Sequence, residues 1–129
     1  MLEREVRDLM TPGVVSIVES AGLPRVFQAF AAHRVHALLV VGADTGTPLG
    51  WVTARGLLAW IDRDASLHRA RDAIAEPAAG IRPGATGKQA LIQLQRDQVG
   101  RLLVQDRPGV APEGVISDLD LVANTVRKS

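Results

Sequence analysis

The sequence predicts an α/β (α+β) protein built from two pseudo-symmetric β-α-β-β-α repeats packed sheet to sheet. Three observations point there. The chain repeats itself without a gap; strand-like and helix-like apolar spacing follow the same order in each copy; and one copy alone is too small to bury a good core. Laying 14–61 over 78–125, a shift of 64 residues, superposes Ile17 on Ile81, Val35 on Val99, Leu38-Leu39-Val40 on Leu102-Leu103-Val104, Gly50 on Gly114 and Leu57 on Leu121. The same shift carries Arg7-Asp8 onto Arg71-Asp72, so the duplication reaches almost to the N-terminus. A period of this length fixes the architecture before any local reading, and it assigns the repeats to 1–65 and 66–129.

The first copy opens with the β-branched run Val14 to Val18, a strand. Ser20 is placed to cap the next helix, whose apolar residues Leu23, Val26, Phe27, Phe30 and Ala31 return at helical spacing. The unbroken apolar run Ala37 to Val41 is short enough for a strand buried on both faces. Gly42 to Pro48 (GADTGTP) supplies turn residues, Leu49 to Thr53 the next strand, and Thr53 to Ile61 a short helix. The second copy repeats the series with a strand at Gly80 to Arg82, Thr86 capping a helix from Lys88 to Asp97, and a strand at Arg101 to Gln105. A turn from Arg107 to Pro112, a strand at Gly114 to Ser117 and a helix from Asp118 to Val126 complete it. The charged stretch DRDASLHRAR (Asp62 to Arg71) reads as a solvated linker.

Composition removes several function classes. No run approaches the roughly 18 apolar residues of a membrane span, and the charged start MLEREVRD is unlike a secretion or transit signal. Zero cysteines exclude a disulfide framework, a thiol nucleophile and a cysteine-based zinc site. A net charge of +1 with interspersed signs lacks the footprint of a nucleic-acid backbone binder, and two Phe and two Trp make no stacking platform for single strands. His33, His36 and His68 lack metal-ligand spacing, so no metal site is expected. There is no nucleophile elbow, phosphate-cradling glycine loop, HExxH or triad, so the chain reads as non-catalytic.

In order, RDLMTP (Arg7 to Pro12), HRVHALLVV (His33 to Val41), GWVTARGLL and GVISDLDLV resemble the cystathionine β-synthase (CBS) domain pair, or Bateman module, over nearly the whole chain. That resemblance implies a cytoplasmic regulatory module that requires no cofactor. It would bind an adenine nucleotide or other adenosyl ligand (AMP, ADP, ATP or S-adenosylmethionine) in the cleft between repeats. It would relay that ligand's level to a partner enzyme or transporter, commonly as a homodimer; the composition already leaves nucleic acid and membrane out of the expected partners. In that family each repeat carries Gly, a hydrophobic residue, any residue, Thr or Ser, two of any kind, then Asp or Asn. GVISDLD fits in full with Gly114, Ser117 and Asp120. The residues make chemical sense of this: Ser117 lies where a strand enters a helix, at the positive end of the helix dipole. Asp120, one turn on, projects on the same side, where a carboxylate accepts hydrogen bonds from both hydroxyls of a ribose. By the same resemblance Arg101 meets the phosphate, its planar fork suiting phosphate oxygens, and Thr11, Val15, Ala37 and Val115 line the adenine pocket.

The first copy departs from the pattern. GWVTARG keeps Gly50 and Thr53, but Gly56 stands where the ribose acceptor belongs, and Ala37 where the second copy has Arg101. Losing two charge-assisted contacts of about 1.5–3 kcal/mol each predicts one good site per chain. Trp51, in the place of Val115, is expected to fill part of the degenerate pocket. A Ser and an Asp at this spacing also read as a helix cap and a first-turn acid. The competing function is therefore a structural homodimerisation module with a decayed site.

Overall fold

The computed structural model describes residues 2–126. Its elements in chain order are α1 (Val6–Leu9), β1 (Thr11–Pro12), β2 (Ser16–Val18), α2 (Leu23–His33), β3 (Ala37–Val41), β4 (Pro48–Thr53) and α3 (Ala54–Leu57). Then come β5 (Gly80–Ile81), α4 (Gly87–Asp97), β6 (Arg101–Val104), β7 (Gly114–Ser117) and α5 (Asp118–Val126). The α/β reading with two sheets holds. The strands order as β2-β3-β4 and as β1-β7-β6-β5, with β2 parallel to β3 and β5 parallel to β6, and antiparallel pairing elsewhere.

Compactness divides the chain at other places than the repeat does. One unit joins Met1–Val14 to Ala79–Ser129; the other is Val15–Ala78. The stretch ahead of each copy's first strand has folded onto the body of the other copy, and it does so twice with the same bonds. Val6 N–H donates to the Ala85 carbonyl at 2.7 Å, and Ala70 N–H to Ala21 at 2.8 Å. Arg7 N–H reaches Pro83 at 3.1 Å and Arg71 N–H reaches Glu19 at 3.2 Å; Gly87 N–H meets Arg4 and Leu23 N–H meets His68. Each of these pairs maps onto the other by the 64-residue shift.

The linker expectation for Asp62 to Arg71 holds for its exposed charged residues and is corrected at its end by this exchange. The stretch carries 3-10 turns at Ala65–Leu67 and Ala70–Ala73, and Ala70 and Ala73 are buried core residues. Alanine is small enough to let the backbone come within hydrogen-bonding reach of Ala21, which a charge count could not indicate. Ser20 does not cap α2 either. Gly22 is the N-cap, without a side-chain bond, and proline stands in the first turn, where its fixed φ suits a helix start. Thr86 caps α4 as expected, accepting from Gln89 N–H while Gln89 Oε1 accepts from Thr86 N–H, a reciprocal capping box. The predicted helix from Thr53 to Ile61 is a four-residue α3 followed by a 3-10 turn at Leu58–Trp60.

Each unit has its own core. Val26, Leu38, Val40, Val52 and Leu57 pack with Ala70 and Ala73; Ala90, Leu102, Val104, Ile116 and Leu121 pack with Val6 and Leu9. The helices cover one face of each sheet. Alternation places Leu39 and Trp51, and in the other unit Leu103, on the opposite face, and these are buried as well, as expected of strands enclosed on both sides.

Candidate functional site

The face of the four-stranded sheet turned away from α4 and α5 gathers most of the residues singled out by sequence. In the β6–β7 ladder Arg101 stands directly opposite Ser117, and Leu103 opposite Val115; across the other edge of β7, Thr11 stands opposite Val115. Directly opposed residues share a face with Cβ atoms about 4.5–5.5 Å apart, so Arg101 and Ser117 project side by side where β7 runs into α5.

The polar centre is the Asp120 carboxylate. Its Oδ2 accepts from Ser117 N–H at 2.9 Å and from Ser117 Oγ at 3.1 Å, while Asp120 N–H donates back to Ser117 Oγ at 3.2 Å. This is the reciprocal arrangement of a capping box, and the acid also favours the positive end of the helix. Thr11 Oγ1 donates to Oδ1 at 3.0 Å. Three donors therefore hold one carboxylate, whose two oxygens offer about four lone-pair sites. The Ser117 and Thr11 hydroxyls are the adaptable members, because each can rotate to serve a different acceptor.

The Thr11–Asp120 bond is the feature that sequence reasoning missed. The resemblance puts Thr11 in the adenine pocket, 109 positions from Asp120, and no local spacing relates the two. The signal lay in the repeat, since a segment recurring ahead of each first strand implied a fixed place for it. Gly114 also gains a structural account. A Cβ there would collide with the Thr11 carbonyl and lie 3.1 Å from Pro12 Cα, so glycine is what lets β1 pair with β7. Val15 and Ala37 fall in the other unit, Val15 just ahead of β2 and Ala37 opposite Thr53 at the start of β3.

That unit repeats the backbone of the site without its polar groups. Thr53 Oγ1 accepts from Gly56 N–H at 2.9 Å, as Ser117 does from Asp120. No carboxylate follows, and the place of Thr11 is taken by Ala75, whose methyl lies 3.2 Å from where a Gly56 Cβ would be. Trp51 is 1% exposed and is tied to the crossing segment by its own N–H to Glu76 O and by Ala75 N–H to its carbonyl, both 2.8 Å. Its indole Nε1 is buried without a hydrogen-bond partner among the described residues.

Elsewhere, hydrogen bonds lower the pKa of two surface carboxyls, Asp64 through Ser66 and Asp97 through Arg96; Asp64 caps the 3-10 turn at Ala65–Leu67 and Asp97 ends α4. Among the described residues no cluster of His, Asp and Glu could hold a metal ion, and no helix is long and apolar enough to cross a membrane. His68 packs edge-on against Trp60 at 4.7 Å between ring centres.

Residues 6–63, the first copy, match the sequence model of the CBS domain. A search of curated proteins finds no match. Among solved structures, the fold is similar to the CBS domain of a bacterial CNNM/CorC family Mg2+ transporter (23% identity, TM-score 0.85, covering 99% of this chain and 79% of that one). It is similar to such a domain in complex with ATP (23%, 0.83, 97% and 89%). A hexameric CBS-CP12 protein from bloom-forming cyanobacteria is also similar (21%, 0.80, 97% and 74%).

Proposed function

Taking as premise that the chain is a CBS-domain pair in fold, we propose that it is a non-catalytic sensor that binds an adenosyl ligand (AMP, ADP, ATP or S-adenosylmethionine) through Thr11, Ser117, Asp120 and Arg101. One observation carries this reading: the Asp120 carboxylate is held ready between Thr11 and Ser117 on the face that carries Arg101. Such preorganisation lowers the ordering cost of binding. The two ribose hydroxyls donate to Asp120, the Ser117 and Thr11 hydroxyls turn toward the ligand, and the Arg101 guanidinium meets a phosphate, or is idle when the ligand has none. Val115, opposite Thr11, offers an apolar edge to the base. Complex formation by a similar domain with ATP supports the ligand class. The ligand's level reaches a partner enzyme or transporter in the cytoplasm because it binds one conformation of the module more tightly than another.

Calorimetry against the four ligands, paired with thermal unfolding, tests the reading. A ligand present at 100 times its Kd stabilises the fold by about 2.7 kcal/mol, and Asp120→Ala removes that shift. Absence of any stabilisation by all four would leave the capping box as the whole role of Ser117 and Asp120.

A second reading, homodimerisation, has its own support. Leu119 and Val122, three apart on α5, are 60% and 65% exposed; Leu58 and Ile61 show the same spacing and exposure in the other unit. Apolar residues paired in this way on short helices suit a self-association surface. In sedimentation measurements Val122→Glu should turn a dimer into a monomer; an unchanged mass would remove α5 from the interface.

A further inference from the structure

We propose that the groove between α2 and the open edge of β2 docks an extended, acidic segment of a partner protein, which adds to the sheet as a fourth strand. The argument is independent of the adenosyl site. β2 is the outer strand of β2-β3-β4. Leu39 N–H bonds the Val15 carbonyl and Glu19 N–H bonds the Val41 carbonyl, so in this parallel ladder the alternate residues, Ser16 and Val18, turn their backbone groups outward. The Val18 carbonyl is used by Ala21 N–H at 3.1 Å. The Ser16 N–H and carbonyl and the Val18 N–H remain on the edge.

The second copy shows how such an edge is closed. There Gln93 Nε2, from α4, donates to the carbonyl of Gly80 in the outer strand β5 at 3.1 Å. The 64-residue shift places Gly80 on Ser16 and Gln93 on Ala29, and alanine is too short to make that bond. A cavity of about 440 Å³ opens at this point, lined by Ser16 and Val18 on the strand side and by Arg25, Ala29 and His33 on the α2 side. Arg25 is the charged side chain of the lining, His33 is a second group able to donate a hydrogen bond, and the lining holds no acid, so the complementary occupant carries carboxylates. Arg25 and His33 are eight residues apart on the helix, about 12 Å at 1.5 Å per residue. Four strand residues span about 13 Å and return to the same face, which sets the acids at i and i+4 of the bound segment. In strand addition main-chain bonds give affinity and alternate side chains give specificity.

A fluorescein-labelled heptapeptide of sequence VEVTVEV, with its two glutamates at that spacing, is the probe, titrated into the full chain by anisotropy and by amide NMR. We expect binding with shifts centred on Ser16 and Val18. Ala29→Gln, which installs the closure seen in the second copy, and N-methylation of the peptide's edge-facing amides should each weaken binding by about tenfold or more. Arg25→Ala should weaken it and flatten its salt dependence. Equal binding of the methylated peptide, equal binding by Ala29→Gln, or no binding at about 1 mM peptide would overturn the proposal. So would free glutamate shifting the same amides as strongly, which would make this a small-anion site. The methylated peptide needs no protein variant, so the test survives even if a substitution unfolds the chain.

Discussion

The two units perform the same backbone manoeuvre and equip it differently. At Ser117 and at Thr53 a strand enters a helix through a hydroxyl that accepts an N–H three residues on, at 3.2 and 2.9 Å. At each, a segment from the other copy crosses beside the strand, through Thr11 or through Ala75. One crossing delivers a hydroxyl to a carboxylate; the other delivers a methyl to a glycine. The difference teaches that hydroxyl caps and paired glycines here belong to the scaffold, since both copies keep them. What distinguishes the proposed ligand site is the set Thr11, Arg101 and Asp120, which one copy has and the other lacks.

The sharpest way to break that comparison is Asp120→Ala. Removing the acceptor of two charge-assisted ribose bonds should raise the adenosyl ligand's Kd by about a hundredfold or more, roughly 3 kcal/mol, read by calorimetry. Gly56→Ala should leave that Kd unchanged. Converting the other copy is the complementary test. The triple variant Ala37→Arg, Gly56→Asp and Ala75→Thr should raise the stoichiometry from one ligand per chain toward two, and an unchanged stoichiometry would mean that Trp51 blocks the site by volume.

The glycines give a smaller effect, on stability. Gly114→Ala forces a methyl against the Thr11 carbonyl, whereas at Gly50 the nearest atom is an Ile74 methyl at 2.5 Å, followed by the Glu76 carbonyl at 2.8 Å. Backbone is approached at both positions and more closely at Gly114, so denaturant unfolding should show a loss of about 2–3 kcal/mol for Gly114→Ala and about 1–2 kcal/mol for Gly50→Ala. Thr11→Val, which removes one donor from Asp120, should cost about 1 kcal/mol and leave β1 paired. The smallest effect expected is that of Trp51→Phe. The lost area is offset by removal of a buried donor that has no partner among the described residues, so the unfolding free energy should change by less than about 1 kcal/mol.

The sequence by itself determined the duplication, the order of elements, the two apolar strand runs and the pairing of Ser117 with Asp120. All of these follow from local periodicity or from a spacing within one helical turn, which a linear chain displays directly. It also determined the inequality of the copies, because Gly56 and Ala37 lack groups that no fold can restore. Only the tertiary structure decided that α1 and the stretch around Ala70 fold onto the other copy's body, that Thr11 bonds Asp120, and that Gly114 serves a crossing strand. It likewise decided that Ala29 leaves the β2 edge open where Gln93 closes β5. Those outcomes depend on contacts between segments far apart in the chain, where the free energy gained by burying Val6, Leu9, Ala70 and Ala73 selects a partner surface that residue order does not encode.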